Sequence, residues 1–588
     1  MAIPQHPAIV LGLDLGCVHT RATLFGIIEG KYRVLGSGTA RTTLGTGMHL
    51  GRGVGEALQT LQGECEHPFL KDSGGLILPL DRMGRGVDRV ALLTSAGPQV
   101  RVSLLGLSDS GSLKAGRAVL GGLPLDTVDV LGVGDLADEA KVIERLVKTC
   151  PEIVVIAGGE DAGAQVLILR WMEVLRTACR LMPTTCQPVI VYAGNPNLDS
   201  MAIRRLEPVG KLHVVPNIQP AYGEYDLVPA QIVLAREILH QWKAKLPGLP
   251  GLCDLARDLS GITYRSLDRM VRYLGHSKRI ESAGMERTGV LAVDLGAQST
   301  TISASIGSLA GSVVQNKIPD VRDESWRSAC QAVYKWTAEP ITLDMVDQFM
   351  CNYALIPGWV PETATELALL QAFDRFRLMQ ALNQFAELYP WFNYHPDRGL
   401  QGHYEPIIIS GAVLTHAPHP GNVLLTLLDG LQPHGMTTFV IDRHHLLPLL
   451  GKISEIEPVL PVQMLASTAF VNLATVVSAT SDLPQEKLAL TVHVENESGK
   501  IYTVDVHQGS LKRLVIPKDE EAILEFVPHH RVDIGFNGAG RGGRIKVTGG
   551  VLGVVIDARG RFVKLPDQST ERIARLGEWL RTMGAENV

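Results

Sequence analysis

Residues 8–28 read AIVLGLDLGCVHTRATLFGII, two apolar runs interrupted by Asp14-Leu15-Gly16-Cys17-Val18-His19-Thr20. The flanks have the aliphatic character of strands, so the interruption reads as a tight turn. Residues 290–306, VLAVDLGAQSTTISASI, repeat the pattern with Asp294-Leu295-Gly296-Ala297-Gln298-Ser299-Thr300. A lone D-x-G is a common turn sequence. Here each copy ends an apolar strand, precedes a threonine and a second strand, and opens one half of the chain. Glycine in such a turn lets a phosphate approach converging backbone N–H groups, and hydroxyl or amide side chains add donors. An aspartate would meet that phosphate through hydrated Mg²⁺, which keeps its waters and prefers carboxylates. Two such hairpins facing each other across a cleft would clamp the phosphates of ATP.

Outward from these turns, the 588-residue length calls for more than one domain. A 45% hydrophobic fraction with 60 glycines and only 5% aromatic residues suits an α/β chain built on aliphatic strands. Net charge is -6, and no basic block runs long enough to track a phosphate backbone, which argues against a nucleic-acid partner. No segment reaches the apolar length of a membrane-spanning helix, and Asp14 interrupts the first apolar stretch, so a cytoplasmic location is expected. The eight cysteines are scattered without a CxxC pair, and most are expected to be small core residues in a reducing compartment.

Residues 8–40 predict three strands, followed by a helix around GVGEALQTLQ. From about 88 to 240, RVALLTSA, VRVSLLGL, VDVLGVG, EIVVIAGG, PVIVYAGN and LHVVPNI alternate with helical runs, the βαβ pattern of a mostly parallel sheet. Loops 158–163 and 193–197 fall at its carboxyl ends, where ligands bind in such sheets. KLPGLPGLC, at 245–253, predicts a joint. A long helix is expected within 362–388, and period-two alternation after Ala479 predicts antiparallel strands. The expected organisation is a first half over 1–250, a second over 251–480, a β module over 481–566 and an amphipathic helix over 567–588.

The duplicated turns, together with IIISGAV (Ser410, Gly411, Ala412) as a third element, resemble the actin, sugar kinase and heat-shock chaperone superfamily of ATPases. That resemblance implies two actin-like, ribonuclease H-like halves around a nucleotide cleft. It assigns Asp14, Gly16, Cys17, Thr20 and Arg21 to the first phosphate motif and Asp294, Gly296, Gln298, Ser299 and Thr300 to the second. Ser410, Gly411 and Ala412 would hold adenosine, and Asp14 and Asp294 would hold Mg²⁺ through water.

More specifically, VRVSLLGLSDSGSLKAGRAVLGG, IVVIAGGEDAGAQ, VIVYAGN, DRHHLLPLLG and the tail DIGFNGAGRGGRIKVTGGVLGVVIDARGRF resemble the MutL family associated with glutamate mutase, distinct from the mismatch-repair protein of that name. The resemblance implies an ATP-dependent chaperone that reactivates an adenosylcobalamin-dependent mutase, the partner expected here unless another protein client takes its place. Relatives carry Ser or Thr where this chain has Cys17 and Lys where it has Arg21. Both changes could preserve binding while slowing hydrolysis.

Asp161, in AGGEDAG, is a candidate water-activating carboxylate alongside Asp14, with Glu160 as its nearest rival; capping a helix that begins near Ala162 is the commoner role for such a residue. His19 reads as a polar turn residue. His444 and His445, being adjacent, do not form the i, i+4 pair that a helical metal site needs. Arg541 and Arg544 lie in a glycine-rich turn. The helix STERIARLGEWLRTMG places Ile573, Leu576, Leu580 and Met583 on one stripe; docking on the protein's own surface is expected, with membrane contact and homo-oligomerisation left open. An actin-like scaffold with little hydrolysis is the alternative function, and a small-molecule kinase the third.

Overall fold

The computed structural model describes residues 7–45, 47–281, 288–316, 318–535 and 538–585. They form two compact units, one comprising residues up to Phe25 together with Leu35–Leu267, the other Gly26–Val34 and residues from Asp268 onward. 

The first unit opens with β1 (Ile9–Leu15), β2 (His19–Ile28) and β3 (Lys31–Arg41), then α1 (Leu50–Glu64) and β4 (Arg89–Thr94). An α/β segment follows: β5 (Val100–Leu105), α2 (Ser112–Gly121), β6 (Leu125–Leu131), α3 (Glu139–Thr149), β7 (Ile153–Ile156), α4 (Val166–Leu181), β8 (Val189–Tyr192), α5 (Asp199–Leu206) and β9 (Leu212–Val214). α6 (Val228–Lys245), α7 (Leu249–Ala256) and β10 (Ser260–Ile262) complete this run, and α8 (Thr263–Glu281) leads from it into the second unit, whose main stretch begins at Asp268.

Two sheets result, with strand orders β10-β4-β1-β2-β3 and β6-β5-β7-β8-β9. All pairings in the second are parallel. Its central strands IVVI and VIVY are almost wholly buried, as parallel strands covered on both faces must be. RVALLT does not join this sheet as the α/β pattern suggested: β4 pairs parallel with β1, Leu15 opposite Thr94. Nor is KLPGLPGLC a simple joint. Its PGLC is part of helix α7, which starts after Gly248, a position with φ +94° where a Cβ would lie 2.6 Å from the His49 ring.

The cysteines correct a further expectation. Cys150 and Cys186 form a disulfide, their Cα atoms 5.6 Å apart, tying the end of α3 to the turn before β8. Cys65, Cys179, Cys253 and Cys330 are buried free thiols.

The second unit repeats the opening: β11 (Gly289–Leu295), β12 (Thr300–Ile306) and β13 (Leu309–Gln315) form an antiparallel meander. Helices α9 (Ser325–Tyr334), α10 (Leu343–Leu355) and α11 (Ala364–Leu388) follow, the last opened by a Thr363/Glu366 capping box. After a short ribbon, β14 (Tyr394–His395) and β15 (Gly399–Leu400), come β16 (Tyr404–Ser410), α12 (Ala412–Thr415), α13 (Pro420–Leu431), β17 (Gly435–Ile441), α14 (Leu446–Ile453), α15 (Val459–Leu465) and β18 (Val471–Ser478). The chain ends with β19 (Leu488–Asn496), β20 (Ile501–His507), β21 (Leu511–Leu514), β22 (Glu521–Pro528), β23 (Gly543–Thr548), β24 (Val554–Asp557) and α16 (Ser569–Thr582).

The main sheet runs β13-β12-β11-β16-β17-β18-β24-β21, and β20-β19-β22-β23 make a separate antiparallel sheet. The period-two alternation after Ala479 thus serves both: β19 and β22 bury alternate residues, while β21 and β24 extend the main sheet. Arg541 and Arg544 flank the entry to β23, and Arg544 pairs with Glu495 at 2.6 Å; Phe536 and Asn537 of that turn lie outside the described residues. Leu576 and Trp579 of α16 and Met583 directly after it are buried within the second unit. The stripe is therefore covered by its own chain, and membrane contact through it would require the helix to undock.

Candidate functional site

In both units aspartate is the penultimate residue of the first strand of the repeat, and the turn closes identically: the Gly16 amide donates to His19 O at 2.9 Å, and the Gly296 amide to Ser299 O at 2.9 Å. A Cβ on Gly16 would stand 2.9 Å from that carbonyl, close enough to force a shift, and one on Gly296 3.2 Å from its own, a tight approach to which the carbonyl would have to yield.

Around the first turn, Asp14 is buried at 1% exposure. Arg21 Nη1 lies 3.5 Å from its Oδ2, and Thr263 Oγ1 donates to its Oδ1 at 3.4 Å. Thr20 Oγ1 and Thr42 Oγ1 are 3.0 Å apart. Cys17 Sγ donates to Ser95 O at 3.2 Å, and burial together with the Asp14 charge pushes its thiol up to about 12. Arg21 and Cys17, both expected at phosphate, thus engage Asp14 and the end of β4. 

Asp161 lies elsewhere in this unit, in the loops at the carboxyl end of the parallel sheet. It caps no helix, because α4 begins at Val166 after Gln165. Its Oδ1 instead accepts from Asn217 Nδ2 at 2.9 Å, while Asn197 Nδ2 donates to its backbone oxygen at 2.8 Å.

Around the second turn, β11 and β16 run parallel with Asp294 opposite Ser410, which sets the Asp294 turn beside the Ser410-Gly411-Ala412 segment. Gly411 has φ +97°, and a Cβ there would fall 2.3 Å from Leu295 O, so only glycine lets the two turns touch. Ala412 opens α12 directly after it. Thr300 Oγ1 and Ser410 Oγ are buried with no hydrogen-bond partner among the described residues. Buried hydroxyls without a partner carry a cost that a bound polar group would remove.

The sequence reading missed the residues that hold this turn. Arg377 Nη2 donates to Gly296 O at 2.7 Å, and Tyr353 Oη donates to Ala297 O at 2.8 Å. Arg377 Nη1 also pairs with Asp374, at 3.3 Å, whose carboxyl burial pushes up to about 6. Two carbonyls of the turn are thus held by side chains of α10 and α11. His445 Nε2 lies 2.5 Å from Asp294 Oδ2. The DRHHLLPLLG segment therefore supplies a carboxylate partner, not a helical metal pair. Asp442 caps α14 with both oxygens, accepting from the Leu446 and Leu447 amides at 2.8 and 2.7 Å, and so fixes His445 in a left-handed backbone conformation. A histidine following a strand beside the Ser410 strand was the available signal.

At the second turn the donor set fits the phosphate of a magnesium nucleotide: the Asp294 carboxylate, a glycine-lined backbone and the unpartnered hydroxyls of Thr300 and Ser410. Among the described residues no three His, Cys, Asp or Glu side chains converge as a direct metal cage; Asp14 and Asp294, each taken within its own unit, offer a single carboxylate, the chemistry that a hydrated Mg²⁺ accepts.

The repeated sheet order with an Asp-Leu-Gly turn in each half defines the class: a duplicated, ribonuclease H-like fold of the actin-like ATPase type. The chain matches the MutL protein family over residues 10–469 and belongs to that family, the one associated with glutamate mutase. No curated protein matches it in sequence. Among solved structures it is similar to xylulose kinase from Bifidobacterium adolescentis (12% identity, 75% of this chain and 91% of that one, TM-score 0.26). It is also similar to a glycerol dehydratase reactivase (10%, 71% and 94%, 0.25) and to the PilM-PilN type IV pilus biogenesis complex (11%, 78% and 98%, 0.23). At such scores these likenesses carry no weight, and the fold rests on the repeated sheet order. No helix among the described residues is long and apolar enough to cross a membrane.

Proposed function

We propose that the chain is a nucleotide-switched reactivating factor that binds Mg-ATP and serves a cobalamin-dependent mutase such as glutamate mutase. The observation that carries this reading is the twofold occurrence of one turn: aspartate at a strand end, then a glycine amide closed on the third residue after it, with buried hydroxyls unpartnered at the second copy. Gly16, Thr20, Gly296, Gln298, Ser299 and Thr300 serve phosphate; Asp14 and Asp294 hold Mg²⁺ through water; Ser410, Gly411 and Ala412 take adenosine. Family membership supports the mutase as client.

Hydrolysis is slow in this reading, because Cys17 and Arg21 are engaged by Ser95 and Asp14. That same observation favours the second reading, an actin-like scaffold that binds nucleotide with almost no turnover. Reactivation separates the two. Glutamate mutase blocked with hydroxocobalamin should regain activity on addition of the chain, Mg-ATP and fresh adenosylcobalamin, and should not with ADP in place of ATP. Nucleotide binding without any recovery of the mutase would favour the scaffold.

A further inference from the structure

Within the second unit the C-terminal helix closes a small cavity. Trp336, just after α9, Gln371 and Arg375 of α11, Leu425 of α13, and Leu576 and Trp579 of α16 line it. Its free volume of about 10 Å³ is room for a single water-sized group. The polar part of the lining is short of acceptors. Trp579 Nε1 and Gln371 Nε2 are buried with no hydrogen-bond partner among the described residues, on side chains of residues only 4% and 9% exposed. An indole N–H can only donate. The carboxylate of the lining, Asp429, already accepts from Arg375 Nε at 2.7 Å and from Arg559 Nη1 at 2.6 Å. Two buried donors left unpaired are a standing cost that a bound acceptor removes.

The balance of charge asks for the same thing. Arg375, Asp429, Arg559, Asp557 and Arg561 form one continuous ionic chain, three cations on two anions, with every side chain at most 6% exposed. Asp374, beside Arg375 in sequence, is paired with Arg377 and leaves the surplus unchanged. At the far end of the chain, Arg561 meets neutral oxygens beyond Asp557: Pro433 O, Gly560 O and Ser478 Oγ. At the cavity end, Arg375 bonds through Nε, and its guanidinium carbon lies 5.7 Å from the Trp336 ring centroid. A water molecule would satisfy the two N–H donors but not the surplus charge, whereas an anion satisfies both. 

We propose that this cavity is a site for one small monovalent anion of the size of chloride, held by Trp579 Nε1, Gln371 Nε2 and the Arg375 guanidinium, and that its occupancy sets how firmly α16 is docked. One negative charge matches the one surplus positive charge, and the single-group volume is too small for phosphate or a carboxylate-bearing metabolite. The anion joins α16, through Trp579, to α11, through Gln371 and Arg375. The site is separate from the two Asp-Leu-Gly turns and stands whether or not nucleotide binds there.

The test uses the full chain at constant ionic strength, with sodium gluconate exchanged stepwise for sodium chloride. Chloride nuclear magnetic resonance should show line broadening beyond that of a protein-free sample, reduced when bromide competes, and the melting temperature should rise with chloride along a saturating curve. Gln371→Leu and Trp579→Phe each remove one N–H and keep an apolar side chain in its place. Each should weaken chloride binding at least about fivefold, the loss of one hydrogen bond to a charged group, at unchanged circular dichroism. A smaller loss in either variant overturns the site. So does a wild type with no excess broadening and a melting temperature indifferent to the exchange, which would assign the cavity to water. Should one variant fail to fold, the other variant and the wild-type titration decide.

Discussion

Cys17 and Gly411 show how single residues set what the two turns can do. A thiol pushed up to about 12 is protonated at neutral pH and donates to Ser95 O, so it is neither a nucleophile nor a strong phosphate donor. Cys17→Ser should raise the rate of phosphate release several-fold over wild type with little change in nucleotide affinity, read by a coupled phosphate assay; an unchanged rate would show that Cys17 does not limit turnover. Gly411→Ala places a Cβ against Leu295 backbone at a positive φ. It should cost at least about 2 kcal/mol in chemical denaturation. Asp374 gives a pH signature. Its folded-state value, about 6, lies above the ordinary 3.8, so the folded state binds the proton more tightly. Its contribution is full below about pH 4 and is lost as pH rises through 6. Asp374→Asn should therefore flatten the dependence of stability on pH between about 4 and 6, a span worth up to about 3 kcal/mol in wild type.

At the scale of elements, the C-terminal helix is held by a buried ionic chain. Arg375 Nε and Arg559 Nη1 both donate to Asp429, at 2.7 and 2.6 Å, while Arg559 and Arg561 converge on Asp557. The Arg559 guanidinium carbon lies 4.6 Å from the centroid of the Trp579 ring of α16. Removing one partner leaves a buried charge uncompensated, so Asp429→Ala should cost about 3–5 kcal/mol. Trp579→Ala should cost a similar about 3–5 kcal/mol through lost packing and the lost cation–π contact. A change under about 1 kcal/mol in both would mean that α16 is not anchored in solution as the structure shows.

At the scale of the whole molecule, the sequence revealed what local pattern controls. Alternation and strand-turn-strand repeats marked β1 to β3, β11 and β12, the parallel strands β5 to β9 and the β19–β20 hairpin, and α11 falls within the long helix expected over 362–388. What escaped depends on distant partners. Nothing local distinguishes β4, which joins the first sheet, from β5, which joins the second. The Cys150–Cys186 bond depends on where α3 and β8 come together. Arg377, Tyr353 and His445 reach the second turn from 81, 56 and 151 residues away. The carboxylates and glycines of the candidate site were therefore legible, and the groups that position them were not.

The central claim is that both Asp-Leu-Gly turns exist to hold a magnesium-bound phosphate. Titration calorimetry of Mg-ATP into wild type and Asp294→Asn tests it most directly. The account predicts one nucleotide per chain in wild type, with affinity weakened at least tenfold in the variant and in wild type without Mg²⁺. No heat of binding in wild type, or binding indifferent to both the substitution and the metal, would contradict it.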